Sequence, residues 1–87
     1  MSSIKNIMED LVESYLVRIM QDMNCCTCET CRLDVTAIAL NNLSPHYVVS
    51  DKGALYGKIN ALSFQFSTDV IKAISAGVVM VKSNPRH

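Results

Sequence analysis

Residues 25–48 of the chain are CCTCETCRLDVTAIALNNLSPHYV, and this stretch decides the fold. Four cysteines fall within its first seven positions, and none occurs elsewhere. The run 35–40 that follows is apolar except for Thr36, which predicts a helix buried at the centre of the domain. The pair 41–42 ends this helix, and Pro45 prevents its resumption because the residue before proline avoids the helical region.

A first helix is expected before the cysteines. Its apolar residues recur at the spacing of one helical face: Ile4, Ile7, Met8, Leu11, Tyr15, Ile19 and Met23. Ser2 or Ser3 is expected to cap this helix, and Thr27 or Thr30 is expected to cap the helix that starts inside the cysteine cluster.

Two further helices are expected after a connection over residues 44–53. The third carries Leu55, Tyr56, Ile59, Leu62 and Phe66, and the fourth carries Val70, Ile71, Ile74, Val78 and Val81. Ser67 or Thr68 is expected to start the fourth helix. Residues 78–81 are also compatible with a short strand, because β-branched residues favour one. Gly77 allows a close helix contact.

These patterns predict an all-α fold: one small four-helix domain over residues 1–87, with helices 1 and 2 joined at the cysteine cluster. A domain of this size buries only about 60 % of the surface that its unfolded chain exposes. Hydrophobic residues nevertheless make up 49 % of the chain. Part of this apolar surface is therefore expected at a subunit interface.

The composition excludes several kinds of partner. Eight basic and eight acidic side chains give a formal net charge of zero, so no field steers the chain toward nucleic acid or anionic lipid. The first residues lack the apolar core of a signal peptide. The apolar stretch 70–81 contains Lys72 and is too short to span a bilayer. We therefore expect a cytoplasmic protein with reduced thiols and no membrane segment.

The candidate metal ligands are Cys25, Cys26, Cys28 and Cys31. Their density in a reducing compartment argues against disulfides, and the polar residues between them argue against a purely apolar role. Zinc takes thiolates in closed tetrahedral sites that contribute directly to folding. The sequence therefore predicts a structural Zn²⁺ that ties the end of the first helix to the start of the second.

The spacing is not that of a zinc finger, because one C-x-x-C pair is present and no second pair follows. Cys26, Cys28 and Cys31 are the more natural ligands, since adjacent cysteines bind one ion only with some backbone distortion. The fourth ligand stays open between Cys25, His46, His87 and a group from a second subunit. Redox chemistry and free thiols are the alternatives, although no β-α-β pattern supports a thioredoxin-like site.

The run 26–48 resembles the late competence development protein ComFB family. That family has the pattern C-x-C-x-x-C-x-x-D, then an apolar helix ending in A-L-N, then a proline and a Tyr-Val pair. The matching residues are Cys26, Cys28, Cys31, Asp34, Ala39, Leu40, Asn41, Pro45, Tyr47 and Val48. Pro85 and Arg86 near the end also resemble members of the family.

The resemblance implies a small helical dimer with cysteine-bound zinc. It also implies the role that some members have, that of a cytosolic receptor for cyclic dinucleotides, chiefly cyclic di-GMP. The identity of a protein effector stays unknown. The extra Cys25 departs from the three-cysteine core of the family and leaves the fourth ligand open.

Four residues are candidates for ligand binding. Arg32 can grip phosphate with its bidentate guanidinium, and Tyr47 can stack on a purine or simply pack in the core. Asp34 either stabilises the helix N-terminus or supports the metal or a guanine edge. Asn41 either caps the helix or contacts a ligand.

No enzyme is expected, because the sequence lacks a P-loop, a G-x-G-x-x-G turn, a nucleophile elbow and an H-E-x-x-H helix. Two other functions compete with ligand sensing. One is a structural zinc-binding scaffold or competence-related interaction protein without a small ligand. The other is a thiol redox module, which would require a reactive cysteine of low pKa.

Overall fold

A computed structural model describes residues 3–50 and 52–84, with side chains over 4–49 and 60–84. The fold is mostly helical, with three helices and a two-stranded sheet. In chain order the elements are β1 (Ser3–Asn6), α1 (Ile7–Asp22), α2 (Glu29–Asn41), β2 (Tyr47–Ser50) and α3 (Lys52–Ser83). The prediction of four helices is therefore wrong, and so is the expectation that the fold has no sheet.

The expected third and fourth helices are one continuous helix, α3, of 32 residues. Ser67 does not start a new helix, because its hydroxyl donates to the carbonyl of Phe64 at 3.4 Å inside the same helix. Such a bond satisfies the serine locally and removes its capping role. Residues 78–81 are helical, so the alternative of a short strand is wrong.

The predicted first helix starts later than expected, because the chain before Ile7 is a strand. β1 pairs antiparallel with β2, and Ile4 lies opposite Val49. Ile4 is 73 % exposed on this sheet and does not belong to the helical core face. The cap of α1 is Asn6, and not Ser2 or Ser3.

Asn6 joins the start of α1 to the segment before β2. Its side-chain oxygen accepts hydrogen bonds from the backbone N–H of Met8 at 3.2 Å and of His46 at 3.0 Å. The carbonyl of His46 accepts from the N–H of Ile7 at 2.8 Å. One asparagine therefore fixes both a helix N-terminus and a loop distant in sequence.

Replacing Asn6 with alanine is expected to lower the free energy of unfolding by about 1–2 kcal/mol, because the helix loses its cap and the half-buried N–H of His46 loses its acceptor. Asn60→Ala, at an exposed position of α3, is the matched control and should change stability by less than about 0.5 kcal/mol. Urea denaturation measures both. Equal stabilities for the two variants would contradict the bridging role of Asn6.

The core lies where α3 packs on α1 and α2. Its fully buried side chains include Ile7, Leu11, Val12, Met20, Val35, Val70, Ile74 and Val78. The buried face of α1 is rotated from the predicted one: Leu16 is buried, whereas Tyr15 and Ile19 are only half-buried.

The second helix is less enclosed than predicted. Cys31, Val35 and Ala39 form its buried line, but Leu33 is 61 % exposed. The expected close contact at Gly77 is confirmed, because a Cβ atom there would lie 3.2 Å from the carbonyl oxygen of Val35. The absence of a side chain at Gly77 therefore lets the backbones of α2 and α3 approach each other closely.

Residues Asn60–Ser83 of α3 are long and apolar enough to cross a membrane by length and composition. The expectation based on the shorter stretch 70–81 did not anticipate this. The side chains of Val70, Ile74 and Val78 are nevertheless buried in the domain core. A central core helix of a globular domain has this same composition.

Candidate metal centre

The cysteine loop begins with a sharp reversal at the end of α1. Asn24 has a φ of 58°, in the left-handed region that asparagine tolerates better than most residues. The next N–H, that of Cys25, donates back to the carbonyl of Met20 at 2.8 Å. Lys82 of α3 donates its ammonium to the carbonyl of Met23 at 2.8 Å, which holds the same corner from the other side.

Cys28 ends the loop as the N-cap of α2, a role that we had assigned to Thr27 or Thr30. Its sulfur accepts from the backbone N–H of Cys31 at 3.5 Å, and its carbonyl accepts from the N–H of Arg32 at 2.9 Å. A thiolate suits this position, because free N–H groups and the helix dipole both favour negative charge.

The sulfur atoms of Cys26, Cys28 and Cys31 all lie within 4.8 Å of one another. Ligands of a tetrahedral zinc at about 2.3 Å lie about 3.8 Å apart, so these three thiols need only small rotations to hold one ion. Cys31 is buried, Cys28 is half-buried and Cys26 is exposed. The centre is therefore closed toward the core and open toward solvent.

The thiols of Cys28 and Cys31 differ in acidity. Burial raises the pKa of Cys31 to about 12, and its neighbour Cys28 adds to the effect. The hydrogen bond from the Cys31 N–H lowers the pKa of Cys28 below its ordinary value. Without a metal, Cys28 thus ionises at a lower pH than Cys31.

Metal binding is expected to release protons and to weaken as the pH falls from 8 to 5, because each bound thiolate replaces a thiol and Cys31 is protonated over this whole range. A competition titration with a chromophoric chelator at several pH values measures the affinity. An affinity that does not change over this range would mean that the thiols are not the ligands.

Cys25 is the cysteine outside the trio formed by Cys26, Cys28 and Cys31. Its sulfur donates to the carbonyl of Cys26 at 3.5 Å, and burial raises its pKa. It packs with the core cluster that contains Met20 and Val81. Cys31 of the trio belongs to the same cluster, so this packing leaves Cys25 open as a fourth ligand.

The two histidines are the other candidates in this chain for the fourth metal ligand. The carbonyl of His46 is bonded to Ile7, at the opposite end of α1 from the cysteine loop. The 16 residues of α1 span about 24 Å, so His46 of the same chain is too far away to be the fourth ligand. His87 lies outside the described residues.

The predicted ligand-binding residues do not converge. Arg32 and Asp34 lie near the start of α2 and Asn41 is its last residue, and nine residues of helix separate 32 from 41 by about 14 Å. Tyr47 lies on β2 and is exposed. Asp34 borders a small groove of about 340 Å³ between α2 and the end of α3.

A larger cavity of about 580 Å³ lies at the end of the domain opposite the cysteines. Its polar lining includes Asn42, His46, Asp69 and Lys72. None of these was among the residues predicted to bind a ligand. The signal was weak in the sequence, because the cavity forms only when the loop before β2 packs on α3.

The fold and the centre together define a class: a small, mostly helical domain whose first two helices meet at a three-cysteine site able to hold a metal ion. The family model of the late competence development protein ComFB matches residues 5–85, and the chain belongs to this family. The resemblance stated from the sequence is thereby confirmed.

Two comparisons with a single relative agree with this. The chain is 29 % identical over 79 residues to the competence protein ComFB of Bacillus subtilis strain 168, which covers 91 % of this chain and 78 % of that protein. The solved structure of the late competence protein ComFB from Bacillus subtilis superimposes with a TM-score of 0.76. That match has 29 % identity and covers 95 % of this chain and 92 % of the other.

Proposed function

We propose that the protein is a non-enzymatic, zinc-stabilised homodimer in the cytoplasm that binds a cyclic dinucleotide, cyclic di-GMP, and passes the signal to a protein partner. The observation that carries the proposal is the trio of sulfur atoms of Cys26, Cys28 and Cys31, within 4.8 Å of one another. A competence-related role is consistent with membership of the ComFB family.

Zinc is the metal that suits the centre best. Soft thiolates favour Zn²⁺ over Mg²⁺, Ca²⁺ and Mn²⁺, which prefer oxygen ligands. The site lies at the junction of α1 and α2, where an ion would fix the relative position of two core helices. Cys26, Cys28 and Cys31 would hold the ion, and its contribution there is to folding and not to a reaction.

A second copy of the chain accounts for the apolar surface that the single domain leaves uncovered. Large apolar side chains that are at least half exposed include Ile4, Leu33, Tyr47, Val49, Phe64, Val79 and Met80. Ile4 and Val49 are paired neighbours on one sheet, so they form a continuous patch. Exposed apolar patches mark protein interfaces when they are large and continuous, and this one would grow on pairing with a second copy.

A two-fold dimer suits a two-fold symmetric ligand, because each subunit can offer the same side chains to one half of the molecule. Cyclic di-GMP has two identical guanine nucleotides. The proposed ligand therefore agrees with the proposed assembly, and the neutral net charge of the chain disfavours longer nucleic acids.

Calorimetric titration of the zinc-loaded protein with cyclic di-GMP tests the ligand. We expect saturable binding at micromolar concentration or below. A flat trace would overturn the assignment as a receptor and would favour a zinc-dependent scaffold without a small ligand.

A further inference from the structure

Cys28 and Cys31 form a C-x-x-C pair on the first turn of α2. Cys28 is the N-cap of this helix, and Cys31 is the third residue inside it. Residues three apart on a helix have Cα atoms about 5 Å apart, which falls within the roughly 4.4–6.8 Å that a disulfide spans. The backbone of this turn therefore places the two thiols where they can be bonded to each other.

The two sulfur atoms already lie close together. The backbone N–H of Cys31 donates to the sulfur of Cys28 at 3.5 Å, so this sulfur lies over the turn that carries Cys31. Both sulfur atoms belong to a trio within 4.8 Å of one another, and all four cysteines are free thiols. Side-chain rotation alone can close the remaining distance, because the helix backbone need not move.

Access to solvent differs among the thiols of the trio. Cys26 is exposed, Cys28 is half-buried and Cys31 is buried. An oxidant in solution therefore reaches Cys26 or Cys28 before Cys31. Burial does not prevent Cys31 from reacting afterwards, because it attacks a sulfur atom of its own chain. An accessible thiol beside a second, resolving cysteine is the usual arrangement of an oxidation-sensitive site.

The trio permits more than one disulfide, but exchange leads to the pair on the helix. When Cys26 is oxidised first, attack by Cys28 gives a Cys26–Cys28 disulfide. The thiolate of Cys31 can then attack the Cys28 sulfur and displace the thiolate of Cys26. A C-x-C bridge closes a smaller and more strained ring than a C-x-x-C bridge, so this exchange favours the pair Cys28–Cys31.

We propose that Cys28 and Cys31 form a reversible disulfide when the protein meets a hydroperoxide, and that this bond expels the metal ion. The metal release rests on the zinc site proposed above, whereas the disulfide requires only the geometry of the two thiols. The centre is then an oxidation-sensitive connection between α1 and α2.

The chemistry uses one hydroperoxide for each disulfide. The sulfur of Cys28 attacks the terminal peroxide oxygen, the O–O bond breaks, and the departing oxygen takes the thiol proton and leaves as an alcohol, or as water from hydrogen peroxide. Cys28 is then a sulfenic acid. The sulfur of Cys31 attacks it, the S–S bond forms, and hydroxide leaves with the Cys31 proton as water. Two electrons pass from the two thiols to the peroxide.

The disulfide removes two ligands from the metal centre at once. Zinc is held by thiolates, and the sulfur atoms of a disulfide carry no charge. Cys26 is then the last thiol of the trio, and one thiolate does not hold the ion. The ion is lost while the start of α2 stays cross-linked, so the expected change is a weaker connection between α1 and α2.

The test treats zinc-loaded protein with a small excess of hydrogen peroxide and then with dithiothreitol. Free thiols assayed in denaturant are expected to fall from four to two, in step with zinc captured by a chromophoric chelator. A protease that cleaves after glutamate cuts the chain at Glu29, between Cys28 and Cys31, so the disulfide keeps the two fragments linked. Tandem mass spectrometry then locates the bond. Dithiothreitol is expected to restore four thiols.

The variants identify the bonded pair, and metal-free protein is treated in parallel. The link should persist in the matched controls Cys25→Ala and Cys26→Ser and disappear in Cys28→Ser. A link of equal yield in Cys28→Ser, or oxidation to sulfinic acid without a link, would overturn the assignment.

The two proposals fail in different ways. Zinc-loaded protein that keeps its metal and four free thiols under peroxide would overturn the disulfide and leave the zinc site standing. A wild type that binds no zinc but forms the Cys28–Cys31 link would overturn the zinc site and the metal release, and would support the disulfide.

Discussion

Cys28→Ser and Cys31→Ser are each expected to lower the melting temperature by about 12–24 °C. Structural zinc contributes about 10–16 kcal/mol of apparent binding energy in zinc-finger peptides. Losing a quarter of that, about 3 kcal/mol, shifts the melting temperature of a domain this small by the stated amount. Cys28 also caps α2, so its replacement affects the helix as well as the metal. Differential scanning calorimetry of zinc-loaded protein measures the shift.

Cys25→Ala is the matched control for these variants. Cys25 lies in the same loop but outside the trio, so we expect the zinc content to stay at the wild-type value and the melting temperature to fall less. If both serine variants melt like the wild type, the metal is not structural. If Cys25→Ala loses the zinc, Cys25 is the fourth ligand.

Gly77→Leu is expected to lower the free energy of unfolding by about 3 kcal/mol, at the upper end of overpacking effects. A Cβ at this position already meets the Val35 carbonyl oxygen at 3.2 Å, and the Ile38 Cβ lies in van der Waals contact at 3.5 Å. The obstacle is helix backbone, which cannot rotate away, so α2 and α3 must separate. Urea denaturation measures the loss.

Ala76→Leu, at the position just before Gly77 on the same helix, controls for the added leucine. Ala76 is exposed, so this variant should unfold within about 0.5 kcal/mol of the wild type. Similar losses in the two variants would mean that the Gly77 contact does not limit the helix packing.

The sequence predicted the helices whose apolar spacing is regular, and it placed the close contact of the domain at Gly77 correctly. It missed the sheet because β1 and β2 are short and more than 40 residues apart. Local periodicity carries no signal for such a pairing. It also divided α3 at Ser67, because a serine that bonds back to Phe64 and one that caps a helix are alike in sequence.

The candidate metal centre was more predictable than the cavity. All members of the trio lie within six residues, so a single loop and one helical turn bring them together. The cavity combines His46 with residues of α3 such as Asp69, and tertiary packing alone makes them neighbours. Arg32 and Asn41 were close in sequence, but the length of α2 keeps them apart.

We propose that a thiolate-bound zinc ion stabilises each domain of a homodimer. Native mass spectrometry combined with metal analysis tests it most directly, because it measures the number of subunits and of zinc ions in one particle. We predict a complex of two chains with one zinc ion bound per chain, and loss of the ion in Cys31→Ser. A folded, metal-free monomer from protein purified without chelator would contradict the account.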